Sequence, residues 1–473
     1  MSTINFDGFE SGENRENMDE KVRRYRKAIK KGQLNESDYP GPELVEDLVT
    51  YCLDNEKFSE AIDFCDIWIN YIPNSSEAWM KKAIAENSLN FNTKSLESIN
   101  KALSFNPYDS EGLLTKSIIL DDIGEPEESL EIVNSILNLD PGNEDALFQK
   151  AALLESIGEF DDAIELYKYF INDDIYKVES LAELGFCYSI LEKYDDSVKY
   201  YKLAIDEAPF DQQLWYNLGV VYHYKRQYKK AAEAYDMSIA IDDNFFLSYY
   251  NMGNTYLAMG RLNEATEAFE SAVSIKPGDI DALQSLASVY SDSGEYEKAL
   301  ENFNNVIKRF PHNYESFYGR AVCFDALEEY HKALKDFDKA IELDPKNYDL
   351  YYAKADTLFN LEKYNEAVEA YKKVLEINPE KHECWLDIAL SLSYTEDVSA
   401  EFAFKTALEL NPDWAEAHYN FAKFLVVRGG WNEAVNYFNK SFELDETKSK
   451  DFKRELPKLL GDRFEEFRKR FSE

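Results

Sequence analysis

The sequence predicts an all-α fold, a solenoid of antiparallel helix pairs, and three observations predict it. The prolines form a ladder. Pro73, Pro107 and Pro141 stand 34 residues apart, Pro209 and then Pro277 each stand twice that distance further on, and Pro311, Pro345 and Pro379 resume the spacing, which Pro412 closes one residue short. A fixed period of this size is the mark of stacked supersecondary units. With the proline at position 32, twelve repeats tile residues 42–446, and position 20 is Ala or Ser in every one, from Ala61 to Ala434. Position 8 is nearly as strict, as in Ala83, Gly185, Gly219, Gly253, Ala321 and Ala422. The third observation is the set of large apolar residues at positions 4, 11, 17 and 24, such as Trp215, Tyr222, Tyr228 and Tyr235, or Tyr351, Leu358, Tyr364 and Tyr371.

Each element follows from these spacings. Positions 4, 7, 8 and 11 share one face of a first helix, and positions 17, 20, 24 and 27 share one face of a second. Small residues at 8 and 20 let the two backbones approach, with aromatic rings filling the space beside them. Gly or Glu near position 15 marks the turn, as at Gly124, Gly158, Gly260 and Gly294. The ladder proline follows the second helix, where its missing N–H does least harm. Pro126 falls in a turn, where the first helical position accepts it.

Three segments result: a polar arm with a basic helix over 1–41, the twelve repeats over 42–446, and an amphipathic capping region over 447–473. In the arm Lys21, Arg23, Arg24, Arg26, Lys27, Lys30 and Lys31 surround Val22, Tyr25 and Ile29. A solvated or partly disordered helix is the simpler expectation there, and docking on the repeats' own acidic surface is the alternative. At the other end Phe452, Leu456, Leu460, Phe464, Phe467 and Phe471 form a stripe suited to cover the last repeat, with a bend expected near Pro457.

Composition and charge exclude several classes. The 473 residues carry 45% apolar side chains with only 18 Gly and 13 Pro, which rules out collagen-like and wholly disordered chains. The net charge is −39; the arm is neutral and the last segment +3, which leaves −42 on the repeats. That balance weighs against nucleic acid as a partner. Five dispersed cysteines form no CxxC pair and fit a reducing compartment. The first seventeen residues show no secretory pattern and no window is apolar enough to span a membrane, so a cytoplasmic protein is expected.

No nucleotide, zinc-protease or hydrolase motif occurs, and no cofactor is expected. His418 takes the core place at position 4, while His223 should face the groove. Asp161-Asp162 and Asp195-Asp196 precede second helices, where Asp is expected to cap the N-terminus. Catalysis is not expected.

The stretch Trp215-x2-Leu218-Gly219-x2-Tyr222, followed by Ala231-x3-Tyr235, resembles the tetratricopeptide repeat, whose 34-residue signature it follows. The resemblance covers the twelve repeats. It implies a right-handed superhelix with first helices lining a concave groove, and a scaffold that binds proteins or peptides. The basic clamp by which some members hold chaperone C-termini is absent, since no repeat has Lys at position 5.

Position 2, expected in the groove, is acidic in ten repeats; Gln213 and Leu247 alone interrupt the row. Those two repeats present Tyr216, Asn217, Val220 and Tyr224, then Tyr250, Asn251, Asn254 and Leu257. Asn can pair with the backbone of an extended peptide and Tyr offers rigid amphipathic contact. These eight residues are the expected partner site, although Tyr at 5 and Asn at 6 also recur in the family whatever the ligand. Alanine at both Tyr216 and Tyr250 is expected to weaken the partner about thirtyfold while leaving the fold intact. The expected partner is a protein or peptide of basic or mixed charge. The alternative is an adaptor whose basic ends touch an acidic protein or an anionic membrane surface.

Overall fold

The computed structural model describes residues 12–31 and 40–469. Phe471 and the side chains of Lys30 and Lys31 lie outside the described residues. No strand occurs among them, and the protein is an all-α solenoid. Helix α1 (Gly12–Lys31) precedes twelve helix pairs. The first six are α2 (Pro42–Asp54) with α3 (Phe58–Tyr71), α4 (Ser76–Ser88) with α5 (Asn92–Phe105), α6 (Ser110–Ile123) with α7 (Pro126–Leu139), α8 (Glu144–Ser156) with α9 (Phe160–Tyr169), α10 (Lys177–Ile190) with α11 (Tyr194–Glu207), and α12 (Gln212–Tyr224) with α13 (Tyr228–Ile241). Then come α14 (Phe246–Ala258) with α15 (Leu262–Ile275), α16 (Ile280–Asp292) with α17 (Tyr296–Arg309), α18 (Tyr314–Ala326) with α19 (Tyr330–Leu343), α20 (Tyr348–Asn360) with α21 (Tyr364–Ile377), α22 (Cys384–Tyr394) with α23 (Ser399–Leu410), and α24 (Ala415–Arg428) with α25 (Trp431–Leu444). Helix α26 (Lys448–Leu460), a 3-10 turn (Gly461–Arg463) and α27 (Phe464–Lys469) follow.

The chain forms two compact blocks, one ending at Ile241 and one starting at Asp242. Within each, every helix packs on its sequence neighbours, and first helices also touch the next first helix, as α10 does α12 and α18 does α20. First helices that touch in this way share one face of their block.

The small residues do what their spacing implies. Ala83, Ala151, Ala231, Ala299 and Ala333 are all fully buried where paired helices meet. A Cβ added to Gly219 would lie 2.6 Å from Tyr235 Cε1, and one on Gly253 would lie 2.7 Å from Phe269 Cε1. Ring against backbone is the contact that brings the helices together.

Each turn is the same device. Position 15 has a positive φ in all twelve repeats, filled by glycine five times, by Asn90, by Arg226, and by Glu56, Glu192, Glu328, Glu362 and Glu396. The next residue's N–H reaches a carbonyl five residues back, as in Lys57 to Cys52 at 2.8 Å and Lys363 to Leu358 at 2.9 Å. This satisfies the last carbonyls of the first helix. Asp161, Asp162, Asp195 and Asp196 are first-turn residues, not caps: the N-cap positions are Glu159 and Lys193, without side-chain cap bonds, and the aspartates suit the helix dipole from the first turn. Side-chain capping belongs to the first helices instead, with Ser75, Asp109, Asn143, Asp279 and Asn313 each accepting an N–H.

The ladder proline has a second role. Its carbonyl accepts from the position 4 side chain of the next repeat: Trp79 Nε1 donates to Pro73 at 3.1 Å, Trp215 Nε1 to Pro209 at 2.9 Å and Tyr351 Oη to Pro345 at 3.3 Å. His418 Nε2 lies 2.8 Å from the Pro412 carbonyl, and the ring is buried. Basic residues at position 7 tie repeats together as well. Lys82 reaches Asp66 at 2.7 Å and Lys354 reaches Asp338 at 2.6 Å, both in the preceding repeat.

The fourth repeat departs from the pattern. Helix α9 stops after ten residues because Phe170 turns inward and is fully buried beside Phe148, on which Tyr176 stacks at 4.5 Å. The ladder lacks a proline here, and Ile175 stands 79% exposed in its place.

Both ends are covered. Helix α1 buries Val22, with Met18, Tyr25 and Ile29, against Val45, Leu48 and Cys52, and Arg26–Glu60 and Lys57–Asp19 ion pairs fasten it. Arg23, Arg24 and Lys27 remain outward. At the other end Phe452, Leu456, Leu460 and Phe467 are buried, and Phe452 meets Phe438 at 5.0 Å. Near Pro457, where a bend is expected, α26 stays helical to Leu460, and the chain then turns at Gly461, where φ is 54°. Lys453, whose carbonyl the proline leaves free, is exposed, so water can serve it.

Candidate interaction surface

The eight predicted residues divide between the blocks, four on α12 of the first and four on α14 of the second. On α12, Tyr216, Asn217 and Val220 are half-buried and Tyr224 is 63% exposed. Tyr224 stacks parallel to Tyr194 with centroids 6.2 Å apart, and Asn217 Oδ1 accepts from Gln213 Nε2 at 3.0 Å. His223 meets Tyr224 and Tyr228 edge-on, and burial holds its pKa below the usual histidine value. On α14, Tyr250, Asn251, Asn254 and Leu257 are all half-buried. Tyr250 and Leu257 pack on the core that includes Phe269 and Leu286.

Position 5 turns out to have two roles. Tyr216 lies 6.0 Å from the Tyr235 ring and Tyr250 lies 5.7 Å from Phe269. Phe148 with Tyr167, Tyr318 with Phe337, Tyr352 with Tyr371 and Tyr419 with Phe438 repeat the pairing. The position 5 ring braces the position 24 ring that sits against the first-helix backbone. Alanine at Tyr216 or Tyr250 therefore removes a ring that packs on the core, so a change in binding by that pair would be mixed with a change in stability. The joint presence of aromatics at positions 5 and 24 is the signal that sequence reading missed.

Beside these residues the first-helix faces carry carboxylates. In the first block Tyr167 Oη donates to Glu155 at 3.1 Å, and the Cys187 thiol lies 3.6 Å from the same oxygen. Burial, with repulsion from Glu155 and Glu179, pushes Glu183 up to about 7. In the second block Tyr371 Oη donates to Asp356 at 2.5 Å and Tyr352 Oη donates to Asp387 at 3.0 Å. Burial is again the main cause that raises Asp387, to about 6. Of the position 2 row, Lys81 pairs with Glu77 at 3.1 Å, Tyr176 bonds Asp145, and Lys448 pairs with Glu416.

Among the described residues no group of three or more His, Cys, Asp or Glu side chains is placed to hold a metal ion. No helix among them is long and apolar enough to cross a membrane. All five cysteines are free and buried. What the faces present is aromatic, amide and carboxylate surface suited to contact, and their rings and carboxylates are held by neighbours within the fold.

No curated protein matches the chain. Among solved structures, YrrB, a TPR protein described as having an unusual peptide-binding site, is 22% identical, with 39% of this chain and 95% of that one covered and a TM-score of 0.35. MamA from Desulfovibrio magneticus RS-1 is 19% identical over 36% and 97%, at a TM-score of 0.35. The APC/C hetero-tetramer Cut9–Hcn1 is 11% identical over 88% and 96%, at 0.42. Two family models described as tetratricopeptide repeat match residues 178–211 and 280–313, and 213–245, 246–279, 314–347 and 348–381. Those six matches coincide with the fifth to tenth helix pairs: residues 178–381 are tetratricopeptide repeats, and helix pairs of the same kind continue on both sides.

Proposed function

We propose that the protein is a non-catalytic cytoplasmic scaffold that holds a protein or peptide partner on its first-helix faces. Its repeats are of the kind that serves protein–protein interaction. The observation that carries the site is the contrast at α12. Position 2 is uncharged there and at α14, and Tyr224 stands 63% exposed on that face, beside Val220 and Asn217. A partner arriving at those helices desolvates aromatic, aliphatic and amide surface instead of a carboxylate, which is the cheaper contact. Alternate residues of an extended segment would meet Tyr216, Asn217, Val220 and Tyr224 on α12; in the second block Tyr250, Asn251, Asn254 and Leu257 on α14 offer the same kinds of group. The acidic repeats would speed the approach of a basic or mixed partner.

The test uses Tyr224→Ala, because that exposed ring supports little of the core. A partner captured by the full chain should bind this variant about tenfold more weakly, the loss expected for one exposed aromatic contact. Unchanged affinity would place the contact elsewhere. The second reading, an adaptor working through its basic ends, draws on the outward Arg23, Arg24 and Lys27 of α1. It predicts that binding to an acidic protein or an anionic vesicle collapses at high ionic strength and on deletion of residues 1–31.

A further inference from the structure

The second block holds a cleft whose charge the described residues leave uncompensated. Its walls are Asp356, Phe359, Asn360, Tyr371, Asp387 and Leu390, and it encloses about 270 Å³. Asp356 and Phe359 come from α20, Asp387 and Leu390 from α22, so the cleft opens on the first-helix face. Each carboxylate is fixed by one tyrosine hydroxyl, Asp356 by Tyr371 and Asp387 by Tyr352. That leaves further acceptor sites on both, since a carboxylate can take about four donors.

Among the described residues no Lys, Arg or His forms an ion pair with either carboxylate. Burial and the neighbouring Asp325 carboxylate act on Asp356, and burial, Asp356 and Glu383 act on Asp387. Lys381 opposes them on Asp387, but its ammonium sits over the Tyr352 ring, 5.7 Å from the centroid, and forms no ion pair with the carboxylate. Elsewhere in this block the same chemistry is paired: Asp336 by Arg320, Asp338 by Lys354, Glu455 by Lys423. Asp356 is exposed at the mouth and Asp387 is half-buried, and a like charge beside a half-buried carboxylate destabilises the fold that holds it.

The apolar side of the cleft has a form that suits a cation on a flexible stem. Phe359 meets Tyr364 and Tyr394 edge-on at 5.3 and 5.7 Å, and Tyr394 stacks on Tyr364 at 4.7 Å while remaining 61% exposed. Ring faces attract cations, and the ring edges and Leu390 accept methylene groups.

We propose that this cleft receives an arginine side chain of the partner, its guanidinium bonding Asp356 and Asp387 and its stem lying along Phe359 and Leu390. The proposal rests on the reading of the first-helix face as the binding face. Charge complementarity commits the occupant to a cation, and the guanidinium is preferred to an ammonium. It is weakly hydrated, stacks on rings and presents several donors in a plane, so it can serve two carboxylates at once.

The probe is a short, labelled peptide of repeating Gly-Ser-Arg, with a Gly-Ser-Lys counterpart, titrated by fluorescence anisotropy against the full chain at physiological ionic strength. Asp356→Asn with Asp387→Asn should weaken the arginine peptide about tenfold or more, as expected when charge-assisted hydrogen bonds are lost. Glu297→Gln with Glu409→Gln removes the same charge from exposed sites of this block outside the cleft, and should weaken it less than about twofold. The arginine peptide should also bind the unaltered chain more tightly than the lysine peptide. Equal losses in the two double variants would overturn the proposal in favour of diffuse attraction, and tighter lysine binding would overturn the arginine assignment. The Asn pair keeps the hydroxyl acceptors and removes the repulsion, so its melting temperature should rise. A fall would contradict the premise that the carboxylates lack a cationic partner, and Asp387→Asn alone repeats the titration if the pair folds poorly. Partner binding at Tyr224, in the other block, is measured separately, so failure here leaves that reading standing.

Discussion

Replacing Arg320 by Met should cost the second block about 2–3 kcal/mol, and the structure explains the size. Arg320 Nε donates to Asp336 Oδ2 at 2.7 Å and Nη2 donates to Oδ1 at 2.8 Å, a two-point pair between α18 and α19. Asp336 is 5% exposed, and Nη1 also bonds Asn304 at 2.5 Å. Removing one member of a fully buried pair costs about 3–5 kcal/mol, because the other charge is stranded. The Arg320 side chain is 19% exposed, so water reaches the pair and the cost falls below that range. Methionine preserves most of the stem, which isolates the charge from the packing. The assay is hydrogen exchange over α18 and α19 in the full chain, where about 2 kcal/mol appears as roughly thirtyfold faster opening. Replacing Asp336 by Met as well should recover all but about 1 kcal/mol, since two apolar groups can substitute for a buried pair. A single variant that exchanges like the parent, or a double variant as unstable as the single one, would refute this reasoning.

Other outcomes follow from the same packing. Gly219→Ala puts a Cβ 2.6 Å from the buried Tyr235 ring, and overpacking of about 1–3 kcal/mol should outweigh the ~1 kcal/mol helix gain, lowering the melting temperature. Truncation after Asp445 uncovers Phe438 and its neighbours, so light scattering should show aggregation; a soluble monomer of equal stability would refute the capping role of α26 and α27. Glu183 and Asp387 have pKa values raised by burial, to about 7 and about 6, so the folded chain binds more protons than the unfolded one between about pH 4 and 7. Stability should therefore increase as pH falls from 7.5 towards 5. Glu183→Gln should flatten that slope, and a melting temperature that falls over this window would contradict it.

Much of the fold was legible because each repeat solves the same packing problem with the same residue sizes. Positions 8 and 20 must be small where two helix backbones meet, and the position 15 turn needs a left-handed residue, so both leave a periodic trace. The link from position 4 to the proline carbonyl left no such trace, since Trp, Tyr and His all make it. The early end of α9 was marked only by the missing proline at Ile175. The surface was less legible because exposure and support are not separable in a linear pattern: Tyr216 and Tyr250 face outward and brace Tyr235 and Phe269 at once. The cleft at Asp356 and Asp387 joins position 9 of one repeat to position 6 of the next. Its character depends on which cations fail to reach it, and that is a property of three-dimensional placement.

The proposed function requires that the first-helix face, and not the second-helix face, holds the partner. A photo-crosslinking residue placed at Tyr224, 63% exposed on α12, and another at Leu203, 40% exposed on α11, compare the two faces in one block. Crosslinks to the captured partner from position 224 and none from position 203 are the predicted result. Crosslinks from position 203 alone would contradict the account.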